Sequence, residues 1–157
     1  MIETDKVRSV LIPLQGGRLL LPNASVAEVV GYEAPESIPD APDWLLGQVD
    51  WRGQSVPLIS FERISGQIME ENTGLRTRLA ICYTLKGNTQ PPYIAILAAS
   101  IPRLVKVSEN NIAPEPEAGE LGPEVLRKVW VDGEPAVIPD LDELEERVGL
   151  VLAEVSV

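Results

Sequence analysis

The chain has 157 residues and a formal net charge of −11, with 45% of its residues apolar and 24% charged. That balance suits one compact domain or two small barrels sharing a core, and excludes a disordered chain. It argues against nucleic acid and anionic membrane surfaces as partners, because both are bound through Lys and Arg that neutralise phosphate.

Val7 to Leu14 and Arg18 to Pro22 are rich in Val, Leu and Ile, and they flank Gln15-Gly16-Gly17, a glycine pair suited to a tight turn. An opening β-hairpin is expected there. Ala24 to Val30 mixes apolar and acidic residues ahead of Gly31, after which Pro35, Pro39 and Pro42 predict an irregular loop over 32–43. Gly47 to Trp51 and Ser55 to Ile59 predict a second hairpin, turning at Arg52-Gly53-Gln54. A polar, glycine-bearing stretch at 65–75 separates two hairpin-rich halves, 7–66 and 76–150, and leaves the N-terminal strand open to sharing between them.

In the second half, Arg76 to Leu85 and Tyr93 to Ala99 form a strand pair around the turn 86–90, which Val105 to Val107 extends. Residues 113–120 are acidic and proline-rich and are expected to be a solvated loop. Val129 to Val131 and Ala136 to Ile138 flank Asp132-Gly133, a favoured hairpin turn. Asp140 then suits a helix N-cap with Glu143 as its capping-box partner, and Leu141, Leu144 and Val148 follow at helical spacing. The run from Trp51 to Ile59 echoes that from Trp130 to Ile138, which points to an internal repeat or to chance similarity of two hairpins. Short strands with glycine-bearing turns predict an all-β fold with short helices.

No apolar run reaches the roughly 20 residues of a membrane span, and Met1 to Lys6 lacks the layout of a signal peptide, so a cytoplasmic protein without direct membrane insertion is expected. Cys82 is the one cysteine, and its apolar neighbours mark it as a core residue. The chain contains no histidine, which removes a Ser-His-Asp triad, a Cys-His dyad and a histidine zinc site. It also lacks a glycine-rich phosphate loop or dinucleotide fingerprint, so no cofactor, metal or catalytic residue is assigned. The acidic clusters at 115–120 and 142–146 read as a solvated loop and a solvated helix face.

Leu21-Pro22, Val26-x-Glu28-Val29, Pro39-x-x-Pro42, Gly47, Trp51-Arg52-Gly53, Pro57-Leu58-Ile59 and Phe61, in that order, resemble the first-half signature of CheW domains. The resemblance implies two five-stranded SH3-like barrels packed around a shared hydrophobic core, one CheW-like domain over 1–157. It implies a non-enzymatic adaptor that binds the cytoplasmic tip of a chemoreceptor and the regulatory domain of a CheA-type histidine kinase, recruited to membrane-associated chemosensory arrays. Leu19-Leu20-Leu21-Pro22-Asn23, Trp44-Leu45-Leu46-Gly47 and Trp51-Arg52-Gly53 are similar to the ChpC branch, which implies an output on type IV pili and twitching motility. Ala98-Ala99-Ser100-Ile101-Pro102 departs from the family's usual Val-Asp-x-Val strand.

The resemblance makes Glu28 and Arg52 an ion pair near the partner surfaces and Val26 a receptor-facing apolar position. Trp44 is a candidate binding anchor, and Trp51 is either an anchor or a cap on a barrel end. Gly47 and Gly53 are expected to serve backbone geometry beside that surface. Two other functions stay open: a small-barrel module for a protein or peptide outside chemosensing, and a hydrolase built on paired carboxylates.

Overall fold

The computed structural model describes residues 6–67, 70, 73–116 and 119–155. Its strands are β1 (Val7–Leu14), β2 (Gly17–Pro22), β3 (Val26–Gly31), β4 (Leu45–Trp51), β5 (Gln54–Ile59), β6 (Arg78–Tyr83), β7 (Tyr93–Ala98), β8 (Arg103–Val107), β9 (Ile112–Pro114), β10 (Val125–Val131) and β11 (Glu134–Pro139). Two helices, α1 (Phe61–Ile64) and α2 (Leu141–Val155), follow β5 and β11. The fold is mostly β, in one sheet of order β8-β1-β2-β11-β10-β9 and another of order β3-β6-β7-β5-β4.

The sheets do not divide where the polar stretch at 65–75 divides the chain. The hairpin β1–β2 joins the sheet of the C-terminal strands, and the hairpin β6–β7 joins the sheet of β3 to β5. Chain order thus consists of two similar units, β1 to α1 and β6 to α2, each lending its first hairpin to the other's sheet. The correspondence extends to the edges, because Glu36 bridges to Gln48 beyond β4 much as β9 pairs beyond β10. In each unit the strand before the helix also runs parallel to a lent strand: β5 to β7, and β11 to β2.

This exchange explains the uninterrupted apolar runs. A lent hairpin is covered on both faces, so both sets of alternating side chains are buried. Val10, Ile12, Leu19 and Leu21 face a core common to both sheets, as do Ala80, Cys82, Ile94 and Ile96. Their neighbours Leu11 and Leu20 fill the inner face of the six-stranded sheet, while Leu79, Ile81, Ala95 and Leu97 fill that of the five-stranded sheet. Burial in the common core pushes the Cys82 thiol up to about 12 by desolvation.

Several expectations change. Residues 112–114 are a strand rather than loop. Arg103 to Val107 does not extend the β6–β7 pair but crosses to the other sheet and pairs with β1, with 99–102 as the crossover. The echo between hairpins is offset by one residue: Arg52-Gly53 and Asp132-Gly133 are the equivalent turn pairs, so Trp51 corresponds to Val131 and not to Trp130. Because side chains alternate faces, the offset decides burial: Trp51 is 8% exposed and Trp130 37%.

The helix α2 starts as expected, with Glu143 N donating to Asp140 Oδ1 at 3.2 Å. The Glu143 carboxylate does not close a capping box but accepts from Arg147 Nε at 3.0 Å. Nor is the acidic run at 142–146 wholly solvated. Glu145 is completely buried and accepts from the backbone N–H groups of Leu85 (2.9 Å), Lys86 (3.0 Å) and Asn88 (2.7 Å). One turn later, a Cβ at Gly149 would lie 2.5 Å from the Asn88 carbonyl oxygen. Glycine is unfavourable inside a helix, and this close approach accounts for it. The β6–β7 loop is therefore bound to α2 within its own unit, although its strands belong to the other sheet. Leu144 and Val148 of α2 complete the common core.

Candidate interaction site

The candidate residues gather at the tip of the β4–β5 hairpin. Trp51 pairs with Gln54, which leaves a two-residue turn, Arg52-Gly53, rather than the expected three. Both turn residues have positive φ, 51° and 76°, the signature of the turn whose twist matches a hairpin. Gly53 takes this conformation freely, whereas Arg52 carries a side chain at some cost.

Glu28 reaches this tip from across the sheet. A bulge between Val26 and Glu28 re-aims the strand. Trp51 Nε1 donates to Glu28 Oε1 at 2.9 Å, and Arg52 Nη2 donates to the same oxygen at 3.3 Å. Since β3 and β4 are outermost among the named strands of this sheet, these contacts show that it curls until its ends meet. The Arg52 guanidinium carbon lies 4.8 Å from the Trp51 ring centroid, a cation–π contact.

Trp51 forms the inner part of the cluster and the charges its surface. Its indole packs edge-on against Tyr93 at 4.8 Å, and Tyr93 contacts Tyr83 at 5.5 Å. The Arg52 and Glu28 side chains remain 68% and 41% exposed. At that exposure the pair contributes only about 0–1 kcal/mol to folding. Its guanidinium is nevertheless held in one orientation by a carboxylate and an aromatic face, which suits recognition more than stability.

Val26 and Trp44 lie outside this cluster. Both are partly buried and pack against the common core, and Val29 is the exposed valine of β3, at 39%. Ser60 N donates to the Trp44 carbonyl at 2.9 Å, tying the indole's backbone to the start of α1. Gly47 acts through close approach. Its φ is +146°, and a Cβ there would sit 2.3 Å from the Glu36 carbonyl oxygen. Glu36 and Gln48 exchange two backbone hydrogen bonds of 2.8 Å, so Gly47 lets the proline-bearing segment lie on β4.

Tyr83 and Tyr93 were not singled out by sequence reasoning, although their positions at the loop end of one hairpin were a usable signal. Glu145 was missed for a different reason: it stands in the acidic run 142–146, which looks like a solvated helix face, and the loop it binds lies 57–60 residues earlier.

Residues 8–148 match the CheW-like domain family. The fold matches the crystal structure of the scaffolding protein TtCheW from Thermoanaerobacter tengcongensis with a TM-score of 0.74 and 21% identity, covering 90% of this chain and 89% of that one. No curated protein matches the sequence.

Proposed function

The chain belongs to the family of CheW-like domains, and from that premise we propose that it is a non-enzymatic adaptor between the cytoplasmic tip of a chemoreceptor and the regulatory domain of a CheA-type histidine kinase. The observation that carries the reading is the Glu28–Trp51–Arg52 cluster. It offers a charged pair at a hairpin tip, held from beneath by a buried aromatic. Such an arrangement restrains the interface side chains before binding, which reduces the entropy lost on association. Reversal of one charge opposes a complementary partner at a cost of several kcal/mol in binding, far more than an exposed pair contributes to folding.

The resemblance to the ChpC branch extends the proposal to an array that controls type IV pili and twitching motility, assembled at the membrane through its receptor. Val26 and Trp44 are further candidate partner contacts, and their packing against the common core also sets the positions of β3 and of the chain before β4.

The decisive experiment is co-purification of the full chain with the receptor tip and the kinase regulatory domain, as wild type and as Arg52→Glu. The wild type is expected to retain both, and the variant to lose at least one while unfolding at an unchanged temperature. A folded wild-type protein that binds neither partner would overturn the adaptor reading in favour of a binding module outside chemosensing. A variant that binds both normally would move the site elsewhere.

A further inference from the structure

The second hairpin tip, at the β10–β11 turn, presents an aromatic and two carboxylates with which no cation is paired among the described residues, including Arg103 at the register position equivalent to Glu28. Trp130 is 37% exposed on the outer face of the six-stranded sheet. Its cross-strand neighbours are Ala113 on β9 and Pro135 on β11, both too small to cover an indole. Beside it opens a shallow groove of about 440 Å³ whose lining includes Glu109, Asp132, Asn110 and Trp130, and no Lys or Arg. Among the described residues neither Glu109 nor Asp132 forms an ion pair.

The molecule already contains the completed version of this arrangement. At the first tip a guanidinium lies over an indole and donates to a carboxylate. At the second tip the backbone turn is the same, with φ of 51° at Asp132 and 80° at Gly133, but Asp132 stands where Arg52 stands. The nearest basic residue along β10 on the Trp130 face is Lys128, which pairs with Val137 and lines a different cavity.

We propose that this tip is a docking site for a cationic side chain, arginine in preference to lysine, carried by a basic segment of a partner protein. The guanidinium stacks on Trp130 and donates to Asp132 and Glu109. Arginine is preferred because its planar, weakly hydrated fork combines stacking with directed hydrogen bonds. A chain of net charge −11 adds long-range attraction for such a segment. The site lies on the unit opposite the Glu28–Arg52 cluster and does not depend on the adaptor reading.

The test uses the full-length, isotope-labelled protein and a capped peptide, Gly-Arg-Gly-Arg-Gly, with its lysine and glutamate counterparts. The indole N–H signal of Trp130, assigned with Trp130→Phe, is expected to shift saturably with the arginine peptide, less with lysine and not with glutamate, while those of Trp44 and Trp51 stay in place. The double variant Glu109→Gln/Asp132→Asn is expected to weaken binding about threefold to tenfold, the range for a surface cation–π and ion-pair contact. Asparagine tolerates positive φ, so the turn is kept, and Glu109→Gln alone serves as a second variant with the turn untouched. An unmoved Trp130 signal, or binding as tight as wild type in both Glu109→Gln and the double variant, would overturn the proposal. Non-saturable adsorption affecting all three indoles equally would do the same.

Discussion

The two hairpin tips share a backbone and differ in what they do with charge. At the first, Arg52 and Glu28 meet over Trp51, so cation, anion and ring satisfy one another. At the second, Val131 occupies the buried position of Trp51, the tryptophan has moved one residue to the outer face, and the turn is acidic. The strand register carries the reversal further. Ile81 opposes Glu28 in one sheet, and its counterpart Leu11 opposes Arg103 in the other. Glu28 and Arg52 are thus replaced by Arg103 and Asp132. One backbone design yields a tip whose charges are internally matched and another whose carboxylates face solvent: the charges differ by substitution at equivalent positions, and the one-residue offset on a surface with a period of two turns the indole outward.

The largest expected effect tests what holds the exchanged hairpins in place. Glu145→Ala removes the acceptor for three backbone N–H groups and leaves a gap under α2, for an expected loss of about 3 kcal/mol. Chemical denaturation should show a lowered midpoint, with Glu145→Gln recovering part of the loss because its amide oxygen still accepts. A midpoint unchanged in Glu145→Ala would mean that the loop is held by something other than this carboxylate.

Gly47→Ala probes the first unit alone. The new methyl would meet backbone of Glu36, which cannot rotate away, in a conformation that disfavours any side chain. A loss of about 2 kcal/mol is expected, with hydrogen exchange increased at the amides of Glu36 and Gln48 and unchanged at the second tip. Increased exchange spread evenly over both units would show that the units do not respond separately.

The core between the units can be read through Cys82. Its thiol is raised in the folded state from 9.0 to about 12, so below pH 9 both states keep the proton and the group has no pH effect. Between pH 9 and 12 the unfolded chain loses the proton while the folded chain retains it. Stability therefore falls with rising pH, by about 1.4 kcal/mol per unit more than in Cys82→Ala. Parallel alkaline stability curves for the two proteins would contradict this, and so would rapid labelling of the native thiol at pH 8.

The smallest folding effect belongs to the arginine of the ion pair. Arg52→Glu is expected to change stability by less than about 1 kcal/mol, Glu28→Arg by about 1–3 kcal/mol because it also removes the acceptor of Trp51 Nε1, and the double variant measures the coupling between them. Partner affinity sharpens the result. Recovery in the double variant implicates the geometry of the pair, and continued loss implicates direct contact by Arg52.

The local structure was legible where short-range chemistry decides it. The Gly16-Gly17 pair, Gly53 and Asp132-Gly133 marked three hairpins, runs rich in Val, Leu and Ile marked the strands, and Asp140 marked the start of α2. The ordered signature from Leu21 to Phe61 carried the family, and it placed Glu28 and Arg52 together before any geometry was known. The turns, strands and helix start depend on neighbours a few residues apart, for which φ preferences and side-chain period are sufficient, whereas the pairing of Glu28 with Arg52 came from the resemblance.

What the sequence could not determine depends on partners far along the chain. A strand buried on both faces reads the same whichever sheet it joins, so the exchange of β1–β2 and β6–β7 followed only from tertiary pairing. Val26 and Trp44 read as candidate anchors, and only the tertiary structure shows that both also pack, partly buried, against the common core. Glu145 read as solvated until a loop 57–60 residues earlier placed three N–H groups against it. Amino-acid order specifies the local turn and the period of the strand; which face is buried, and which charge finds a partner, is decided when distant segments compete for the same core.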